Sequence, residues 1–378
     1  MPARTARGDA GFSLPEVMVS MGIMLVVLGG TFTAMTNAMR AEQTARGITT
    51  LNGHLRSSMD LLVRDFLQIG QGLQTGRVIT VPNGPGSTPI VRPGPAAAGG
   101  CGGVTTFAVD PTISAVTVGP DLGPPINGQC TDVINTLAVD GAFENVNVAS
   151  MTANGQSISI HPSVNISDTP DAFGDNLRVG DLLELRRQGT SDTATVYVTA
   201  VAGQVVTFAP GDPLGLNQFD PGGVMEGTTN KIYVGGATPD PIAPVVVGGV
   251  TQTGPWVAFR VRMISYFVDT TTNPASPRLI RQINANAANA VAFELEAFRL
   301  TYDIADGTVN PSGVRMNATD IGTGGACAPF ACSPNQIRKA NVTIAVRSEQ
   351  RNKQAGFYHN TLFTQVALRS LSFVDRFN

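Results

Sequence analysis

The chain is poor in charged residues and in histidine, and these shortages narrow the kinds of protein it can be. Only 14% of its 378 residues are charged, and the formal net charge is −3. Nucleic-acid binding through bulk electrostatics needs a surplus of positive charge, so we expect no nucleic-acid partner. His54, His161 and His359 are the only histidines, and none lies beside a nucleophile motif.

Familiar cofactor and metal motifs are also missing. The sequence contains no Walker loop and no dinucleotide fingerprint, and its glycine-rich runs do not lie between a strand and a helix. The cysteine spacings of five and twenty-nine residues fit no common zinc finger. We therefore expect a protein with no cofactor, no metal site and no enzymatic activity.

The shortage of charge is most concentrated near the start of the chain. Residues 17–39 contain no Asp, Glu, Lys or Arg. As a helix they would extend roughly 34 Å, which is enough to cross the hydrocarbon core of a bilayer. Glu16 stands at the beginning of this run, where an unpaired carboxylate at depth costs about 2–4 kcal/mol. The pattern predicts a transmembrane helix with a functional acid at its start.

A secretory signal peptide does not account for this segment. The apolar run is longer than the usual hydrophobic region, and no small-x-small cleavage site follows it closely. An uncleaved signal anchor is the simpler alternative, but it does not explain the position of Glu16. Arg4 and Arg7 precede the run, so the positive-inside rule predicts a cytoplasmic N-terminus and a C-terminal region outside the cytoplasm.

These first residues resemble the class III signal of type IV prepilins and type II secretion pseudopilins. The resemblance rests on a short polar leader, on Gly11, Phe12 and Glu16, and on the apolar helix after them. It implies that a prepilin peptidase cuts between Gly11 and Phe12 and methylates the new amino group of Phe12. Residues 1–11 would then be a leader, and residues 12–72 the N-terminal helix of the mature subunit.

Pro15 and Glu16 fit this interpretation. In a continuous helix Pro15 would clash with the carbonyl of Gly11, whereas after cleavage it lies in the first turn, where no partner is lost. A helix that begins at Leu14 would remove the clash without any cleavage. By analogy with the family, Glu16 pairs with the α-ammonium of Phe12 on a neighbouring subunit and sets the register of assembly. The alternative is that Glu16 only marks the membrane boundary.

The helix is predicted to continue past the membrane as an amphipathic segment. Gly70 and Gly72 come after it, as expected at a helix C-terminus. Arg56, Asp60 and Arg64 fall off its apolar side, as does Asp65. The apolar side has a spacing of three and four residues and consists of Leu51, Leu55, Met59, Leu62, Phe66 and Ile69. The two parts together predict one helix of about 55 residues.

Residues 73–378 are predicted to form a β-rich head outside the cytoplasm. Glycine and proline are abundant, at 42 and 25 residues, and β-branched runs alternate with turn signals. The fold class is therefore α+β, and the prepilin resemblance implies a pilin-like arrangement, with a long transmembrane and then amphipathic helix packed on the head. The predicted strands are 104–109, 113–118, 133–139, 157–160, 231–234, 256–268, 278–283, 291–302, 337–346 and 361–373.

Segment 177–208 has its own pattern of short strands around a tight turn at Ala202 and Gly203. It is interpreted either as a small β-rich insertion or as an excursion of the main sheet. The four cysteines, which would lie in an oxidising compartment, also leave alternatives open. Cys327 could pair with Cys332 and Cys101 with Cys130, or the two sets could be cross-linked.

The C-terminal third contains Leu295–Tyr302 before an Asp-Gly turn, then Ile337–Arg347 and Phe363–Leu371. This layout resembles the W-type minor pilin family, although Ser370 stands where that family commonly has Asn. This resemblance implies a structural subunit that primes, caps or decorates a type IV pilus-like fibre. Its expected partners are a prepilin peptidase and other pilin subunits, first in the bacterial inner membrane and then in the fibre. The alternatives are a J-type minor pseudopilin of type II secretion and a fibre-borne adhesin.

Overall fold

A computed structural model gives the fold of the chain. It divides into two units, one of Met1–Gly53 with Ser348–Tyr358 and the other of His54–Arg347 with His359–Asn378, and each is described by itself. The described residues are 13–73, 78–80, 89–95, 101, 106–107, 112–152, 155–162, 164, 166, 176–188, 193–218, 245–247, 250–252, 256–305, 310, 312–316, 336–349, 351 and 356–373.

One long helix, α1, runs from Leu14 to Leu67 and contains 54 residues, which confirms the predicted length. The helix ends just before the two glycines predicted to terminate it. Gly70 and Gly72 have φ values of 75° and 71°, in the left-handed region that glycine adopts without a steric penalty. The N–H of Gly70 donates to the carbonyl of Leu137, 2.8 Å away, so the chain leaves the helix already bound to the β-rich region.

The remainder of the described chain is mostly β-structure, with a short 3₁₀ helix after it at Arg369–Phe373. The strands, numbered along the chain, are β1 Val78–Thr80, β2 Thr112–Ser114, β3 Val116–Gly119, β4 Pro125–Ile126, β5 Gln129–Cys130, β6 Val133–Val139, β7 Val146–Met151, β8 Ser157–Ile160, β9 Leu182–Arg187, β10 Thr193–Tyr197, β11 Ala200–Ala202, β12 Val205–Thr207, β13 Val245–Val247, β14 Val250–Gln252, β15 Trp256–Asp269, β16 Arg278–Ile283, β17 Asn289–Ala292, β18 Leu295–Ile304, β19 Ile337–Arg347 and β20 His359–Ala367.

The 14-residue strand β15 organises the larger sheet. It pairs antiparallel with β9 through Trp256 to Val261 and with β6 through Val261 to Tyr266. Its last residues pair with β16. Most of its side chains are buried, as is typical of a strand covered on both faces, and its largely apolar sequence is interrupted by Arg260 and Arg262.

Segment 177–208 contributes to this sheet. Strand β9 lies between β10 and β15, while β12 pairs with β8. Leu183, Val196 and Phe208 of the segment share one apolar core with residues outside it, including Ile160 and Trp256. This is the arrangement of the second alternative, an excursion of the main sheet, because these strands bury their side chains with the rest of the sheet.

A separate three-stranded antiparallel sheet has the order β18-β19-β20. In β18 the side chains of Phe298, Leu300, Tyr302 and Ile304 are buried, and the residues between them are half-exposed. This alternation is the pattern expected of a sheet with one face on a core.

Several predicted strands differ in their limits. The strands predicted at 133–139, 157–160 and 278–283 are found there. The strand predicted over 291–302 is wrong, because β17 and β18 are separated near Glu294, whose φ is 52°. The strand over 361–373 ends at Ala367, and the 3₁₀ helix takes its last residues. Residues 231–234 and most of 104–109 lie outside the described residues.

Candidate functional site

The start of α1 is built by Ser13, Pro15 and Glu16. The carbonyl of Ser13 accepts hydrogen bonds from the N–H groups of Glu16 and Val17, at 3.0 and 3.2 Å. The Ser13 hydroxyl lies 3.4 Å from Glu16 Oε2 and donates to it. Ser13 and Glu16 therefore have the Ser-x-x-Glu spacing of a capping box. A carboxylate in the first turn is also stabilised by the helix dipole.

Pro15 lies in the first turn, since the helix begins at Leu14. The N–H that proline lacks has no intrahelical partner there. A first-turn position of Pro15 is expected both for the cleaved chain and for an uncut helix that begins at Leu14, so Pro15 does not distinguish the two alternatives. Gly11 and Phe12 themselves lie outside the described residues.

The first part of α1 exposes its apolar side chains. No residue of the helix up to Gly53 is buried. An 18-residue window of α1 has a mean hydropathy of 2.0, and among the described residues this is the one helix long and apolar enough to cross a membrane. The exposed large apolar side chains of this part are Leu14, Val17, Met18, Val19, Met21, Ile23, Met24, Leu25, Val26, Val27, Leu28, Phe32, Met35, Met39 and Ile48.

The hydroxyl groups in this apolar part hydrogen-bond to the helix itself. Ser20 Oγ donates to the carbonyl of Glu16 at 2.8 Å. Thr31 donates to Leu28 and Thr33 to Gly29, each at 2.9 Å. An unsatisfied hydroxyl in hydrocarbon is costly, and back-bonding to the preceding turn removes that cost. Glu16 differs, since its carboxylate has several acceptor positions and, among the residues that the structure describes, only the Ser13 hydroxyl bonds to it.

The last part of α1, from His54 onward, buries one side. Leu55, Leu62 and Phe66 are at most 2% exposed, and Phe66 meets the ring of Tyr266 edge-on at a centroid distance of 6.2 Å. This confirms the apolar stripe predicted from the spacing, with the exception of Leu51, which is only half-buried.

Asp65 corrects the prediction that the polar residues of this part face away from the stripe. It is 4% exposed and forms a buried cluster with Tyr266 and Arg281. The Tyr266 hydroxyl donates to Asp65 Oδ2 at 2.6 Å. Arg281 donates from Nε to Oδ2 at 2.5 Å and from Nη2 to Oδ1 at 3.1 Å. Such a bidentate ion pair fixes both the distance and the orientation of its partners.

Burial, together with the nearby charge and hydrogen bond of Asp65, raises the pKa of Tyr266 well above its ordinary value. The phenol thus stays protonated and keeps donating to Asp65. A spacing argument would have found Asp65, because it lies three residues after Leu62 and four before Ile69. The Ser-x-x-Glu start of the helix was also readable from the sequence. The partners Tyr266 and Arg281 carry no such local signal.

Two of the four cysteines lie within the described residues. A disulfide joins Cys101 to Cys130, with Cα atoms 5.8 Å apart, which is one of the pairings that the sequence left open. Cys327 and Cys332 lie outside the described residues. His359 pairs with Glu296 at 2.7 Å. Within the part of the chain that the structure describes, no group of His, Cys, Asp and Glu is arranged to hold a metal ion.

Comparison with known families supports the assignment of the N-terminus. Residues 6–32 match the model of the prokaryotic N-terminal methylation motif. No curated protein matches the chain. No solved structure matches it either.

The matched segment spans the end of the leader, Gly11, Phe12 and Glu16, and most of the apolar run. The chain therefore carries a type IV prepilin-like class III signal. Together with the apolar helix and the β-rich region after it, this signal supports a type IV pilin-like or pseudopilin-like protein. The motif implies processing by a prepilin peptidase and assembly with other pilins, and it fits membrane anchoring.

Proposed function

We propose that this protein is a minor pilin, a structural and non-catalytic subunit that primes, caps or decorates a type IV pilus-like fibre. The subunit is inserted in the bacterial inner membrane by one helix with its head outside the cytoplasm. A prepilin peptidase cuts between Gly11 and Phe12 and methylates Phe12, and the mature subunit then moves into the fibre.

The observation that carries this proposal is the contrast between the apolar helix and the acid at its start. Every large apolar side chain from Leu14 to Leu28 is exposed, and the hydroxyls of Ser20 and Thr31 bond to their own helix. Glu16 is the one ionisable side chain from Ser13 to Met39. A charge in apolar surroundings needs a partner of opposite sign, and the new α-ammonium of Phe12 on a neighbouring subunit supplies it.

The capping geometry adds a competing role for Glu16. Its carboxylate accepts a hydrogen bond from Ser13 at 3.4 Å, so it could serve only to begin the helix. A cap is worth about 1 kcal/mol, whereas an unpaired carboxylate at membrane depth costs several times more. The inter-subunit role of Glu16 therefore dominates in this proposal.

Two variants separate the roles. Glu16→Gln keeps the shape of the side chain but removes its charge, and Ser13→Ala removes the local hydrogen bond while keeping the charge. We expect Glu16→Gln to lower the amount of the protein in sheared fibres at least ten-fold, and Ser13→Ala to lower it less than two-fold. Equal small effects would mean that Glu16 is only a cap.

Processing is tested by mass spectrometry of the N-terminal peptide of the assembled protein. The expected peptide begins at Phe12 and carries one added methyl group. A chain that begins at Met1 in assembled fibres would contradict the proposal. A J-type pseudopilin would give the same peptide, and recovery with a type II secretion pseudopilus instead of a pilus distinguishes it.

A further inference from the structure

The two outer edges of the three-stranded sheet are finished in different ways. The edge at β18 is closed by the chain itself. Asp132 donates its N–H to the carbonyl of Phe298 at 3.1 Å, and its Oδ2 accepts the N–H of Leu300 at 2.7 Å. Further along, Tyr302 and Val314 exchange two backbone hydrogen bonds of 2.8 Å each.

The β18 edge also has features that discourage the addition of another strand. Its ten residues include Glu296, Arg299 and Asp303, and its pairing with β19 shifts register at both ends. Charged side chains and β-bulges are the usual means by which proteins protect a sheet edge.

The edge at β20 has none of this protection. The nine residues His359–Ala367 contain no Asp, Glu, Lys, Arg or Pro. They pair with β19 in one continuous register without a bulge. Among the strands that the structure describes, none pairs with the other edge of β20. A long, regular and uncharged edge of this kind is a template for strand addition.

The hydrogen-bond alternation of the ladder shows which residues face outward. Just past the end of β20, Leu368 donates its N–H to the carbonyl of Arg338 at 2.8 Å. In an antiparallel pair, residues bonded to the partner strand alternate with residues whose backbone groups point away. Even-numbered residues of β20 thus bond to β19, while the N–H and C=O groups of Thr361, Phe363 and Gln365 point outward.

The same three residues present their side chains to solvent. Thr361, Phe363 and Gln365 are all exposed, and the Phe363 side chain is 58% exposed. Phe363 lies opposite Thr343 of β19, so its ring stands on the solvent face of the sheet near the open edge. A strand added here would gain backbone hydrogen bonds and would also cover this ring.

We propose that residues 361–365 of β20 dock an extended strand of a neighbouring subunit in the fibre. The occupant is an uncharged β-segment with an apolar side chain opposite Phe363, because only a strand backbone pairs with alternating donors and acceptors. This inference rests on the proposed function, since fibre assembly supplies the neighbour. Pairing of β20 with β20 of a second copy would need a two-fold contact, which closes a dimer instead of extending a fibre.

Amide hydrogen exchange tests the proposal directly. The full chain in detergent is compared with the full chain in sheared fibres, with residue-level readout of β20. In detergent we expect fast exchange at Thr361, Phe363 and Gln365 and slow exchange at Leu362 and Thr364. In fibres the three outward amides should slow at least ten-fold, while the inward amides stay slow.

Each other outcome overturns the proposal. Fast exchange of the outward amides in fibres means that no strand adds there. If the outward amides exchange slowly in detergent, and exchange becomes slower as the protein concentration rises, a second copy is the occupant. Slow exchange in detergent at every concentration means that a segment of the same chain covers the edge.

Variants test the consequence for assembly. Gln365→Pro removes one outward N–H, which edge strands tolerate, and should lower recovery in fibres at least ten-fold with little change in the melting temperature. Thr364→Pro removes an inward N–H and should instead lower the melting temperature. If Gln365→Pro does not fold, the recovery of Phe363→Lys in fibres is measured instead. Val205→Lys, at an exposed position of β12, is its control.

Normal incorporation of a folded Gln365→Pro or Phe363→Lys variant would overturn the docking edge while leaving the minor pilin proposal intact. Absence of the wild-type chain from all fibres would instead overturn the proposed function, and this inference with it. The wild-type sample therefore distinguishes the two failures.

Discussion

The two parts of α1 belong to one continuous helix, yet they bury very different amounts of surface. Up to Gly53 no residue is buried, whereas from His54 onward Leu55, Leu62 and Phe66 are almost completely covered. The first part is apolar around its whole circumference between residues 17 and 39, and the second is apolar on one side only. A helix that is apolar all round suits a lipid environment, while a single stripe suits packing on a protein surface.

The two parts of α1 also satisfy the hydrogen bonds of their polar side chains in different ways. In the first part, hydroxyls bond to carbonyls of the same helix, as Thr33 does to Gly29. In the second part, Asp65 reaches Tyr266 and Arg281 on distant strands. Local bonds leave the helix free to contact lipid or other helices, whereas the distant bonds hold its end on the sheet.

The largest expected effect comes from the buried stripe. Phe66→Ala should lower the free energy of unfolding of the head by about 3–5 kcal/mol, because it removes a fully buried ring and leaves a cavity. The neighbouring Leu67 is 48% exposed, so Leu67→Ala is a matched control with an expected change of about 0.5 kcal/mol or less. Urea denaturation of the full chain in detergent measures both, and equal losses would contradict the comparison.

The next effect concerns the buried ion pair. Asp65→Ala should cost about 3 kcal/mol, since it leaves Arg281 and the Tyr266 hydroxyl without their partner. Asp60→Ala, at an exposed position of the same helix, should change stability very little. The double variant Asp65→Leu with Arg281→Met should recover part of the loss, because no charge is then left unpaired. If the double variant recovers no stability, the cluster contributes more to stability than the pairing of its charges.

The first part of the helix should respond to charge instead of to side-chain size. Val26 is 77% exposed, and Val26→Arg should disfavour membrane insertion by about 2.5–3.5 kcal/mol. Leu67→Arg makes a comparable change in the second part and should leave insertion normal. Fractionation of cell membranes gives the inserted share of each variant. Equal insertion of both variants would remove the distinction between the two parts.

The smallest effect is expected at the helix glycines. Among the described residues nothing lies within 4 Å of a Cβ built at Gly29, so Gly29→Ala should stabilise the helix by about 0.5–1 kcal/mol. Circular dichroism during heating in detergent measures this gain, and a loss of helicity would contradict it. Fibre yield then separates two interpretations of the glycine, because reduced yield would mean that neighbouring helices pack closely against it.

Much of the helix was predictable because its signals are local. The charge-free run, the three- and four-residue spacing around Leu62 and the terminal Gly70 each reflect neighbours within a few residues along the chain. Strands such as β6 and β16 were also readable, since their β-branched and other apolar residues stand out locally from the chain around them. The division between β17 and β18 was missed because it depends on the left-handed backbone of Glu294, a residue type that rarely signals a break.

The sequence by itself determined the membrane-like helix, the acid at its start and the β-rich character of the region after it. The tertiary structure alone decided that Asp65 meets Arg281, 216 residues away along the chain, and that β18 is closed by Asp132 while β20 stays open among the described strands. The physical reason is that charge and periodicity act between neighbours in sequence. The pairing of a strand edge or a buried charge depends instead on which distant segment the completed fold brings beside it.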